Sequence, residues 1–222
     1  ATMYIRPLLL GTGPQIGVAP ATEYTFIVLV TPVGAYYKGG LQAVKACIVD
    51  EYDRAAPRGT GMVKLAGNYA ASLLPHEMAR KAGYAVDLYL DPVEHRYVEE
   101  FGSSNFIAIT RDGKYITPDS HSVLPSVTND GLKQVARDLG ITVEQRRIDF
   151  VKEFATLAEV AACGTAVVIT PVSEIVRLDT GEHFVLPTGD GCGPVLQKLY
   201  NAYTDIQWGK AEDKHGWLRV IA

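Results

Sequence analysis

Apolar and polar positions change period several times along the chain, and each change marks an element. Tyr4 to Leu10 is strand-like, and Glu23 to Val33, dense in β-branched and aromatic residues, predicts a second strand. Between them lies a turn-rich stretch with Gly11, Gly13, Pro14, Gly17 and Pro20. Gly34 to Leu41, with its Gly39-Gly40 pair, reads as a connector and places a domain boundary. Beyond it come a predicted strand at Val44 to Asp50, a loop through Asp53-Arg54-Ala55-Ala56-Pro57, and a glycine-rich approach, Gly59-Thr60-Gly61, to Lys64. Asn68 to Lys81 is helical in composition, with Ala70, Leu73, Leu74, Glu77 and Met78 spaced for one buried face and Gly83 as a stop. Strands are predicted at Val86 to Leu90, Arg96 to Glu99 and Phe106 to Ile109, the last before an Asp112-Gly113 turn. A helix from Val127 to Leu139 ends at Gly140, and an extended stretch runs from Thr142 to Ile148. Phe154 to Ala162 predicts a helix, Ala166 to Val172 an apolar strand, and Pro194 to Tyr203 a last helix with proline in its first turn. Strands outnumber helices and several are hairpin-linked, so periodicity alone gives an α/β or α+β mixed fold.

Composition narrows the function classes. The chain has 222 residues, 47% apolar and 21% charged, ordinary for a globular protein with a sizeable core. A net charge of −4 and a pI near 5.7 argue against nucleic acid or an anionic membrane as the main partner. The best apolar run, Phe26 to Val30 extended to Tyr37, is broken by Thr31, Pro32 and Gly34, so it predicts no membrane span. No basic-then-apolar signal segment opens the chain. Cys47, Cys163 and Cys192 are far apart and form no CxxC pair, which points away from disulfides and zinc and towards a reducing cytoplasm. The chain opens Ala-Thr-Met-Tyr-Ile-Arg-Pro inside a strand pattern, as part of a longer protein would.

Four short segments carry candidate chemistry. Lys64 lies among Met62, Val63, Leu65 and Ala66; burial there would favour its neutral, nucleophilic amine, while the plainer reading is an exposed lysine ending an edge strand. Glu99-Glu100 run into Gly102-Ser103-Ser104-Asn105, where a carboxylate could pair with a ring nitrogen or the acids could simply be solvated beside a tight turn. Leu124-Pro125-Ser126-Val127-Thr128 precedes a helix, so Ser126 or Thr128 could cap it and its free N–H groups could hold an anion. Ala162-Cys163-Gly164-Thr165-Ala166 offers backbone N–H groups and a hydroxyl for a second anion contact, or is a plain turn. Walker, HExxH and GxSxG motifs are absent, and Gly189 to Pro194 has the wrong spacing for a dinucleotide fingerprint. His76, His95, His121, His183 and His215 show no metal-ligand spacing.

In order along the chain, Lys64-Leu-Ala-Gly-Asn-Tyr-Ala-Ala-Ser, Glu100-Phe-Gly-Ser-Ser-Asn, Leu124-Pro-Ser-Val-Thr and Gly164-Thr-Ala resemble the branched-chain aminotransferases of pyridoxal-phosphate fold type IV. Tyr4-Ile-Arg-Pro and the late Ile206-Gln-Trp-Gly extend the resemblance over essentially the whole chain. It implies pyridoxal 5'-phosphate held on Lys64 as an internal Schiff base, with Lys64 also moving the proton at Cα. Glu100 would sit against the pyridine nitrogen and Tyr69 would hydrogen-bond the phenolic oxygen. Ser103 belongs to the same cofactor region. Val127, Thr128 and Thr165 would hold the phosphate; Tyr4, Arg6 and the backbone of Ala166 match the substrate-carboxylate region. Glu99, one residue away on a strand, would face the other way. The implied reaction moves the amino group of leucine, isoleucine or valine to 2-oxoglutarate, with 2-oxo acids and glutamate as partners, in a cytoplasmic homodimer.

The resemblance also implies domains: residues 1–37 as the tail of a smaller N-terminal domain, 38–43 as a connector and 44–222 as the lysine-bearing domain. The family has more N-terminal domain than this, including a phosphate-binding arginine, so a chain of this extent is expected to bind cofactor weakly. The redox CxxC that some relatives carry is replaced by Val167 and Thr170. Other readings are a D-amino-acid aminotransferase, an aminodeoxychorismate lyase, an inactive fragment that only folds or dimerises, and a nucleotide-binding protein using the glycine-rich loops.

Overall fold

In the computed structural model, which describes residues 2–34 and 40–221, the chain divides into two compact units, Ala1–Lys38 and Gly39–Ala222. Residues 35–39, on which part of the expected connector and Tyr37 fall, lie outside the described residues.

The first unit is a hairpin. β1 (Thr2–Gly11) pairs antiparallel with β2 (Tyr24–Val33), from Thr2 opposite Val33 to Gly11 opposite Tyr24. Two equal ribbons cannot bury both of their own faces: Leu9 is 63% exposed and Phe26 65%.

The second unit is a barrel with helices outside it. β3 (Val44–Ile48) pairs parallel with β4 (Val86–Leu90), and β4 antiparallel with β5 (Val98–Phe101). β5 continues to β6 (Ser104–Thr110), β6 to β9 (Leu157–Gly164), and β9 to β10 (Val168–Arg177), which returns parallel to β3. Six strands therefore close a circuit. β7 (Tyr115–Pro118) and β8 (Val143–Arg146) branch from β6, and β11 (His183–Val185) from β10.

Alternation sorts the side chains between two cores. Ala46, Ile48, Leu88, Phe106, Ala108, Val160 and Ala162 face the barrel interior. Ile107, Ile109, Ala161 and Cys163 face outward, beneath α2 (Val127–Asp138) and α4 (Pro194–Gln207). α1 (Ala66–Lys81) covers Cys47 and Val49 through Ala79. α3 (Phe150–Glu153) is a short turn of helix.

Three expectations are corrected. Phe154 to Ala162 is not a helix: after a 3₁₀ turn at Phe154–Thr156, β9 occupies Leu157–Gly164. Its alanines suit a helix, but β9 is flanked by β6 and β10, and that pairing overrides propensity. The expected buried face of α1 is also wrong. Asn68, Ser72, Pro75 and Ala79 turn inward, while Leu73 and Leu74 are 65% and 57% exposed, because small side chains let the helix approach the sheet. The third concerns Glu99. β5 slips register between its pairs Leu88–Phe101 and Leu90–Val98, so two residues oppose one. Strict alternation fails there, and Glu99 and Glu100 are both buried against the 120–124 segment. Neither acid is solvated.

Candidate active site

A cavity of about 210 Å³ gathers segments far apart in sequence: Arg54, the 61–69 stretch, the β5–β6 hairpin, 124–127 and Cys163 to Thr165. Of the expected cofactor residues, Lys64, Tyr69, Glu100, Ser103, Val127 and Thr165 line it.

The lysine side is a loop pinned to the start of α1. Asn68 Nδ2 donates to the carbonyls of Thr60 at 2.7 Å and Val63 at 2.8 Å, and Thr60 Oγ1 donates to Asn68 Oδ1 at 2.8 Å. This fixes the backbone on both sides of Lys64. Of the two readings, exposure is the one observed: Lys64 is exposed, although it lies in a loop and ends no strand. Its Nζ donates to the Tyr69 hydroxyl at 2.8 Å.

The opposite character belongs to Glu100, 3% exposed. Its carboxylate accepts the Leu124 N–H at 3.0 Å and Asn105 Nδ2 at 3.1 Å, and lies 2.9 Å from Arg54 Nη2. Burial pushes its carboxyl up to about 7, against the pull of Arg54. Phe101 pairs with Ser104, leaving Gly102 and Ser103 as a two-residue turn. Gly102 is required there, because a Cβ would stand 2.6 Å from the Asp87 carboxylate.

At the start of α2, Ser126 Oγ accepts the Asn129 N–H at 3.1 Å, so Ser126 rather than Thr128 is the cap. Val127 and Thr128 keep N–H groups with no intrahelical partner, a ready anion site. Asn129 anchors this end: Tyr115 OH donates to its Oδ1 at 2.6 Å, and its Nδ2 donates to Thr117 Oγ1 at 2.9 Å. The Thr128 side chain is buried and is not part of the cavity lining.

Thr165 and Ala166 stand in the three-residue turn between β9 and β10, Thr165 in the lining and Ala166 outside it. The turn closes on Val168 at φ 65°, a left-handed conformation that a β-branched residue adopts only under strain. Tyr4 and Arg6 share a face of the hairpin unit, the Arg6 guanidinium 5.2 Å from the Tyr4 ring centre.

In the sequence Arg54 is one residue of a predicted loop. It lies in the lining, 7% exposed, and donates to the Gly61 carbonyl at 3.0 Å and to the Ser122 carbonyl. No periodicity marks it. The available signal was the glycine at 61, where a Cβ would come 2.2 Å from the Ser122 oxygen.

Fold and lining together define a mixed α/β barrel protein with an amine, a buried carboxylate and a helix N-terminus on one cavity. The profile of the family described as amino-transferase class IV matches residues 1–175. The branched-chain-amino-acid aminotransferase of Haemophilus influenzae is 46% identical over 98% of this chain and 64% of its own length. The solved branched-chain amino acid aminotransferase of Escherichia coli superposes with a TM-score of 0.84 at 32% identity, covering 98% of this chain and 70% of that one. The enzyme of Thermobaculum terrenum, solved in its PLP-bound holo-form, gives 0.81 at 28% identity, over 98% of this chain and 68% of its own. The chain belongs to the class IV aminotransferases, with the fold of fold type IV, and its homologues include branched-chain aminotransferases. It spans about 64% of the length of the Haemophilus relative.

Proposed function

We propose that this chain is the lysine-bearing part of a pyridoxal-phosphate enzyme that moves amino groups between leucine, isoleucine or valine and 2-oxoglutarate. The observation that carries the reading is the Lys64 Nζ–Tyr69 hydroxyl pair at 2.8 Å, in the same lining as buried Glu100 and the start of α2. The donor set suits the cofactor: an amine for its aldehyde, a carboxylate for a protonated ring nitrogen, and helix N–H groups for a phosphate. When bound, pyridoxal phosphate supplies an electron sink that lets a Cα–H bond break at neutral pH.

The residues then divide the work. Lys64 Nζ takes and returns the proton at Cα, and Tyr69 orients that amine. Glu100 holds the proton on the ring nitrogen. The N–H groups of Val127 and Thr128, with the Thr165 hydroxyl, bind phosphate, and Ser103 closes the rim. Tyr4 and Arg6, on one hairpin face, bind a substrate carboxylate. Ala166 offers its backbone to substrate. Residues 1–37 are the tail of a smaller domain, 38–43 the connector and 44–222 the lysine-bearing domain. The working form is a cytoplasmic homodimer.

The test is reduction of the chain with borohydride in the presence of pyridoxal phosphate, followed by peptide mapping. Label confined to Lys64, and lost in Lys64→Ala, is the expected result. Label scattered over surface lysines, in this chain and in one extended N-terminally, removes the reading. A panel of branched-chain, D-amino-acid and aminodeoxychorismate substrates then tests the specificity.

A further inference from the structure

The Glu100 side of the pocket holds more charge than the hydrogen bonding of one carboxylate needs. Two buried acids, Glu99 and Glu100, are consecutive on β5, and the buried Arg54 guanidinium pairs with Glu100 alone of the two. Ser120 Oγ donates to Glu99 Oε1 at 2.8 Å, while Glu99 Oε2 and Arg54 Nε have no hydrogen-bond partner among the described residues. Such a cluster is a poor way to gain stability, because desolvating the charges offsets most of their attraction. Among the described residues, Arg54 from the β3–α1 loop, Lys64 ahead of α1 and the Cys163 thiol on β9 share the cavity lining with Glu100, and Glu99 precedes it on β5. Arg54 and Lys64 favour its anion; burial and Glu99 oppose it.

We propose that Arg54 is a positioning residue that holds Glu100 as a carboxylate towards the ring nitrogen of the cofactor, while its guanidinium ties the Gly61 and Ser122 backbones into one pocket wall. The assignment rests on the proposed pyridoxal-phosphate site. A neutral Glu100 could not hold a proton on a ring nitrogen, whereas a carboxylate fixed by three donors can. Arginine suits the position because it stays charged when buried and reaches a carboxylate and two carbonyls from one planar group.

The experiment is a pH titration of the cofactor-free chain carrying ¹³C-carboxyl glutamate, with Glu100→Gln used to assign the Glu100 signal. In Arg54→Gln the Glu100 midpoint is expected to rise by about one pH unit or more, and in Arg54→Lys to return part of the way. Glu99→Gln is expected to move it in the opposite direction, downward. Pyridoxal phosphate, titrated by absorbance near pH 7, is expected to bind roughly tenfold more weakly to Arg54→Gln. An unmoved midpoint in Arg54→Gln, or a shift of the same sign in both variants, overturns the inference. Should Arg54→Gln not fold, Arg54→Lys decides it: an unmoved Glu100 midpoint there overturns the inference. Midpoints that move as stated in chains that bind no cofactor leave Arg54 its role and remove the proposed site.

Discussion

Lys64 and Glu100 line the same cavity under opposite conditions. The lysine is exposed on a loop and its amine meets the Tyr69 hydroxyl, whereas the glutamate is 3% exposed and is met by Arg54, Leu124 and Asn105. Under the proposed function, the difference separates the two walls by task. A group that must form and release bonds gains from freedom of movement. A group that only stabilises charge gains from being fixed in a dry setting before any ligand arrives.

Lys64→Ala breaks the comparison most directly. Activity, assayed in the longest active form of the protein, is expected to fall by roughly 10²–10⁴-fold or more, as for loss of a proton-transferring group. The unfolding free energy from urea titration should stay within about 0.5 kcal/mol of the parent, as for an exposed residue. Arg54→Ala tests the other wall and should reverse the pattern, destabilising the chain by about 3–5 kcal/mol in urea unfolding, because Glu100 is left buried without its partner.

The pH dependence is smaller per step. The Glu100 carboxyl sits at about 7 when folded, above the ordinary 4.5, so the folded state binds the proton more tightly than the unfolded chain. Its contribution is therefore present at low pH and is lost as pH rises towards 7, at up to roughly 1.4 kcal/mol per pH unit. Unfolding midpoints across that range should show this slope, and Glu100→Gln should flatten it. Ser126→Ala, which removes the cap of α2, is expected to cost about 1 kcal/mol and to weaken phosphate-ester binding, read by calorimetry. A loss of stability with phosphate binding unchanged would separate α2 from the anion site.

Much of this was legible because it is local. The cap at Ser126, the stop at Gly140 with φ 76° and the proline opening α4 depend on backbone geometry within a few residues. The errors were non-local. Glu159 lies inside the stretch predicted as a helix; in β9 its carboxylate accepts the N–H groups of Val195 and Leu196 at 3.0 and 2.8 Å, at the start of α4. No window around Glu159 contains α4. The inward face of α1 differs from the sequence pattern for a related reason: Asn68 is anchored by the Thr60–Val63 loop, and the large side chains at 73 and 74 are left outward.

From its sequence alone, the chain determined its local conformations and the order of its lysine, glutamate, serine and threonine segments, and through the resemblance of those segments its family. Tertiary structure decided which strands close the barrel, that a register slip buries Glu99 beside Glu100, and that Arg54, 46 residues before Glu100, reaches it at 2.9 Å. The physical reason is range. Caps and turns are settled by torsions and hydrogen bonds between near neighbours, while burial and ion pairing depend on which distant segments the barrel brings together.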